Sequence, residues 1–187
     1  MTQTNNQFQN LNHLRGLIWT GAGVLLLLPL LAMQFTDEVS WDVVDFVIFG
    51  MMLAIAAFAF DFVLKKIGHS AYRWGSSFAI AAAFLLIWMS GAVGIIGAEN
   101  NVANLMFVAV LAVALLGSLV VRFEARGMSR VMLVTGALQA LAGGIGFVLE
   151  SNANHSAWPF EIVYLTIFFV ALWLISAWFF SKAADVQ

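Results

Sequence analysis

Six stretches of the sequence, residues 16–35, 43–64, 75–97, 103–122, 131–149 and 160–180, are apolar almost without interruption. Each matches the thickness of a bilayer: ~30 Å of hydrocarbon takes ~20 helical residues at 1.5 Å per residue. Inside hydrocarbon every backbone N–H and C=O must be paired within the protein, which leaves only helices or closed barrels. Barrel strands of about ten alternating residues are not visible, so the expected fold is all-α. It is a polytopic transmembrane bundle of six helical spans. The connections are short, so consecutive spans run antiparallel. The chain is 63% hydrophobic and 10% charged, against about 45–50% and about 25% for a soluble domain. A single integral-membrane domain over 1–187 is expected, with residues 1–14 as a polar N-terminal segment. The first span reads as retained rather than cleaved, because Leu31-Ala32-Met33-Gln34-Phe35 offers no small-residue cleavage site.

The basic residues orient the spans. Arg15 precedes the first. Lys65, Lys66 and Arg73 lie between the second and third, Arg122, Arg126 and Arg130 between the fourth and fifth, and Lys182 after the sixth. All eight Lys and Arg therefore fall on one side. The positive-inside rule makes that side cytoplasmic, with both termini there. The other side carries Asp37, Glu38, Asp42, Asp45, Glu99, Glu150 and Glu161. Trp41 and Trp158 at one boundary, and Trp74 and Trp178 at the other, fit interfacial belts. The net charge of −2 suggests no nucleic-acid partner.

Helices in lipid associate by close approach and polar contact, because lipid tails are as apolar as Leu. Small residues mark two expected seams. In the third span Ser76, Ala83, Ser90 and Gly97 recur every seven residues, with Ala79 and Gly94 beside them. In the fifth, Gly136, Ala140 and Gly144 recur every four, widened by Gly143 and Gly146. Ser90, Gly94, Gly97, Gly136, Ala140 and Gly143 are thus candidate packing residues. The second and sixth spans are bulky with Phe on several sides. The expectation is that spans three and five lie near the centre while faces of two and six meet lipid.

Few polar residues are placed for function. Gln139 lies about 12 Å into the fifth span; its amide needs partners, as an interhelical bond or as the lining of a pathway. Asp61 and Lys65, four apart in acid-first order, read as a boundary ion pair. Asp42 and Asp45 begin the second span, where carboxylates meet the positive end of a helix dipole. Asp45 with Asp37, Glu38, Glu99, Glu150 and Glu161 could line an outer cation site, but no spacing resembles an EF-hand and no metal is expected. Asn101 can cap the fourth span, which puts Asn104 in its first turn, and Gly97 can close the third span as a left-handed cap. With no cysteine, thiolate chemistry is excluded. No two histidines can face each other in the membrane, no span holds a lysine at mid-depth, and no H-E-x-x-H, G-x-S-x-G or P-loop occurs. No cofactor is expected.

The run Gly91-Ala92-Val93-Gly94-Ile95-Ile96-Gly97, then Glu99, Asn101 and Ala103-Asn104-Leu105, resembles a family of small bacterial inner-membrane proteins of uncharacterised function. The Arg122…Arg126-Gly127-Met128 loop resembles it too. The resemblance implies a bacterial cytoplasmic membrane and a similar span count, and no activity or site. The expected role is accessory, structural or regulatory, without catalysis, in contact with the lipid bilayer and with a second copy or another membrane protein. The alternative is a small cation- or proton-coupled transporter or channel. A membrane enzyme with Glu99 and Glu150 as acid–base groups ranks third, because no nucleophile accompanies them.

Overall fold

A computed structural model of the chain describes residues 2–36, 39–66, 69–92, 94–97, 101–152 and 160–186. Among these there are six α-helices: α1 (Thr2–Ala32), α2 (Val43–Lys66), α3 (Ser70–Ala92), α4 (Leu105–Val120), α5 (Ala125–Asn152) and α6 (Phe160–Ala184). A short 3-10 turn, Val102–Asn104, leads into α4. All six helices are long and apolar enough to cross a membrane, and the chain is an all-helical, multi-pass membrane protein. α1 runs through the polar N-terminal segment without a break. α5 starts and ends outside its apolar stretch, whereas α3 stops at Ala92, short of Gly94 and Gly97.

The chain divides into two compact units, residues 1–68 and 69–187. The first is the α1–α2 pair. Trp19 meets Phe58 edge to face at 5.0 Å, and Leu26 packs beside Gly50, 3.7 Å from where a Cβ there would stand. Asp61 is 6% exposed and takes two cations. Lys65, one turn on, reaches it at 2.6 Å, as the sequence spacing predicts. Arg15 of α1 pairs with it as well, and this interhelical contact could not be read from the sequence. The start of α2 is a reciprocal box. Asp42 Oδ1 accepts from the Val44 and Asp45 amides at 2.7 and 3.0 Å, and Asp45 Oδ2 accepts from the Asp42 amide at 2.9 Å. These bonds satisfy amides that a helix start leaves unpaired.

In the second unit α6 is central, packed against both α3 and α5. The expected centre is spans three and five; α6 shares that centre with them, while one side of it keeps the outward face expected of it. Its phenylalanines divide: Phe168 faces outward, while Phe169 and Phe180 are 0% exposed. The small-residue helices do not seek each other. Each receives the bulk of α6 instead. The Phe180 ring lies 3.1 Å from where a Cβ of Gly75 would stand, and Trp173 packs on Gly136. A large side chain needs a hole in its neighbour, and a glycine makes one.

The seam of α5 corrects the expected strip. Ala140 and Gly144 are exposed, and nothing lies within 4 Å of a Cβ built on Gly144. The buried face runs through Met132, Thr135, Gly136, Gln139, Ala142, Gly143 and Gly146. A step of four residues drifts about 40° around a helix, a step of seven only about 20°. Gly136 and Gly143 therefore stay on α6 while Ala140 and Gly144 turn away. On α3, Ser76 is buried and Ala83 and Ser90 are half-buried. Gly94 and Gly97 belong to the following loop, not to that face, with φ of 79° and 60°.

At the end of this unit that carries Arg122, a tight α4–α5 turn places Arg122 and Phe123 at φ of 51° and 59°. The Tyr72 hydroxyl donates to the Phe123 carbonyl at 2.6 Å. Trp74 and Trp178 are exposed at the same end, and the Lys182 ammonium lies 5.8 Å over the Trp178 ring. This cluster has the composition of an interfacial belt.

Candidate functional site

The polar residues singled out in the sequence fall in separate parts of the chain: Asp45 in the first unit, and Asn104, Gln139 and Glu150 in the second. Glu99 lies outside the described residues, as do Asp37, Glu38, His155 and Trp158. Asp45 is occupied in the α2 box, within the first unit. Glu150 is half-buried near the end of α5, and its carboxylate comes 3.0 Å from where a Cβ of Gly97 would stand. A glycine at 97 thus both takes the left-handed φ and clears the carboxylate.

Asn104 holds the loop after α3 together. Asn101 caps the 3-10 turn by accepting from the Ala103 amide at 3.0 Å. Asn104 makes no side-chain cap of α4. Its Oδ1 accepts from the Ile95 and Ile96 amides at 3.1 and 2.9 Å, and its Nδ2 donates to the Ile96 carbonyl. A single carboxamide thereby satisfies three backbone groups, and Ile96 is 0% exposed beside Gly146.

The interior of α3–α6 is where polar chemistry is left open. Gln139 is 0% exposed, and neither its Oε1 nor its Nε2 has a hydrogen-bond partner. The Trp173 indole Nε1, the Thr166 Oγ1 and the Ser90 Oγ are also buried without a partner. The α5–α6 register brings three of these to one seam. Gly136 faces Trp173, Gly143 faces Thr166 and Gly146 faces Ile162. These pairings run antiparallel, so Gln139 stands between the levels of Trp173 and Thr166. Side chains lean toward the N-terminus of their helix. Gln139 thus leans toward the level of Trp173, and Trp173 toward that of Gln139. Thr166 and Trp173 escaped the sequence reading. Their signal was a spacing of seven on α6, hidden because a Trp in a span reads as packing.

Among the described residues the buried polar side chains of this unit are all uncharged: Ser76, Asn104, Ser118, Thr135, Gln139 and Ser176. Nor do the described residues hold a group of three His, Cys, Asp or Glu that could bind a metal. These described interior groups are hydrogen-bonding groups. On the opposite face of α5, Ala140, Leu141, Gly144, Ile145, Val148 and Leu149 line an open apolar groove of about 380 Å³, chemically matched to acyl chains. No protein-family model, curated protein or solved structure matches this chain.

Proposed function

We propose that this protein is an accessory, structural or regulatory component of a bacterial cytoplasmic membrane, acting through contacts with other membrane components rather than by catalysis. The filled centre of α3–α6 carries this reading. Trp173, Phe107, Phe169, Phe180, Leu86 and Ile96 are each 0–1% exposed, and such dense packing of large side chains supports a role without conduction. The partner is a second copy or another membrane helix. α1 is the helix offered to it: within its unit it packs on α2 alone. The one-sided Lys and Arg support a cytoplasmic placement of both termini. The bacterial inner membrane rests on the resemblance of the Gly91–Leu105 run.

Flux measurement tests this reading. Purified protein in liposomes, under proton and cation gradients, is expected to conduct neither. Flux above that of empty liposomes overturns it. The second reading, a small cation- or proton-coupled transporter, is favoured by the unpaired Gln139 amide in the interior. On that reading flux is present and Gln139→Leu abolishes it. Contact with a partner is read separately. The chain has no cysteine, so single cysteines along α1 report crosslinking without background.

A further inference from the structure

Hydroxyls elsewhere in the second unit find acceptors. Ser77, Ser118 and Thr135 donate to the carbonyl four residues back in their own helix, at 2.6–2.8 Å. Ser129 donates across to the Ala177 carbonyl and Ser176 to that of Gly75, at 2.9 and 2.8 Å. Residue type therefore does not explain why Gln139, Thr166 and Trp173 are unpaired. What the three share is one stretch of the α5–α6 seam, between the levels of Gly136 and Gly143. Thr166 has the usual route open to it, back to its own helix carbonyl. Its hydroxyl instead rests against Gly143, in the space a side chain there would fill.

An unpaired polar group in a membrane interior costs several kcal/mol. Native proteins pair nearly all such groups, with each other or with a bound molecule. Gln139 is fully buried, so it cannot reach interfacial water. The seam offers a donor-only group (Trp173 Nε1), a two-hydrogen donor with an acceptor beside it (Gln139) and a hydroxyl that does both (Thr166). The buried polar groups around it are uncharged, so a charged guest would lie uncompensated in low dielectric. Trp173, Thr166 and Ile96 reach into the spaces beside Gly136, Gly143 and Gly146, which restricts a guest to a few atoms.

We infer that the α5–α6 seam at the level of Gln139 binds a small uncharged molecule that both donates and accepts hydrogen bonds, an alcohol, a primary amide or water, held by the Gln139 carboxamide, the Trp173 indole N–H and the Thr166 hydroxyl. The guest's oxygen accepts from Trp173 and from Gln139 Nε2, and its own hydrogen is donated to Gln139 Oε1 or Thr166 Oγ1. The site goes beyond the proposed role, since a non-conducting protein and a carrier can both hold such a guest.

Nitrogen-15 spectra of the full chain in lipid nanodiscs test it. The Trp173 indole signal is assigned by its loss in Trp173→Phe, and the Gln139 carboxamide by its loss in Gln139→Leu. The expected result is a cross-relaxation peak between the Trp173 indole hydrogen and bound water, or a saturable shift of that signal on adding glycerol or acetamide at millimolar concentration. A water peak that survives both additives identifies water as the guest. A water peak lost to one of them identifies that solute class. Gln139→Met, which keeps the volume without the amide, is expected to abolish the response, while the exposed Trp178 indole shows no saturation. A Trp173 signal with neither a water peak nor a saturable shift shows a dry seam and overturns the inference. Wild-type spectra alone decide that outcome, whatever the variants do. Binding is read here and conduction in liposomes, so the two proposals fail separately.

Discussion

The Thr166 side chain on α6 occupies the space that any side chain at Gly143 on α5 would need: a Cβ built at 143 would overlap the hydroxyl and stand 2.6 Å from the Thr166 methyl. One residue further along, Gly144 has open space around it. The same substitution at neighbouring positions therefore has opposite effects. Gly143→Ala forces the helices apart and is expected to destabilise by about 1–3 kcal/mol, as overpacking does. Gly144→Ala is expected to be neutral or to stabilise by up to about 1 kcal/mol through helix propensity. Unfolding in SDS, followed by circular dichroism, measures both. Equal effects at 143 and 144 would show that the seam is not where Thr166 places it.

Asn104 is expected to be the most demanding polar residue of the loop. Asn104→Leu strands the Ile95 and Ile96 amides and the Ile96 carbonyl, a loss on the order of 2–3 kcal/mol. Asn104→Asp keeps the two acceptor contacts and loses the donor, and should fall between wild type and Leu. The same SDS titration ranks the three, and an Asp variant weaker than Leu would contradict the geometry.

Asp61 ties two helices, whereas Lys65 answers it from within α2. Asp61→Asn removes both ion pairs and leaves Arg15 without its carboxylate. It should therefore loosen α1 from α2 more than Lys65→Met, which removes a partner whose side chain is 53% exposed. Disulfide trapping between cysteines placed at Leu26 and Gly50 reads this directly, since these positions approach each other in the pair. The trapping yield should fall in the order wild type, Lys65→Met, Asp61→Asn.

The α4–α5 turn holds two successive non-glycine residues in the left-handed region, a conformation that costs L-residues roughly 1–2 kcal/mol each. Arg122→Gly and Phe123→Gly should therefore each stabilise, by up to about 1 kcal/mol after the extra backbone entropy of glycine is subtracted. Tyr72→Phe loses the bond to the Phe123 carbonyl and should cost about 1 kcal/mol. A thermal scan in detergent that shows either glycine variant melting earlier would mean the turn is not strained.

The sequence by itself determined that the chain is a bundle of six membrane-crossing helices, because hydrocarbon thickness and backbone pairing leave apolar runs of this length no other form. It also carried the local devices. Lys65 lies one turn from Asp61, Asn101 caps the turn before α4, and Gly97 adopts a left-handed conformation, though α3 ends at Ala92 and Gly97 is not its cap. These depend on residues a few positions apart, whose geometry follows from chain connectivity alone. Which helix fills which was decided only in three dimensions. Small-residue faces on α3 and α5 were legible, but not that the aromatic residues of α6 would enter them, since a glycine records a hole without saying what occupies it. The placing of Arg15 on Asp61, of Asn104 under Ile95 and Ile96, and of Trp173 on Gly136 and Thr166 on Gly143 likewise came from tertiary structure. Each joins residues whose relation is set by how helices pack, a register that no sequence spacing encodes.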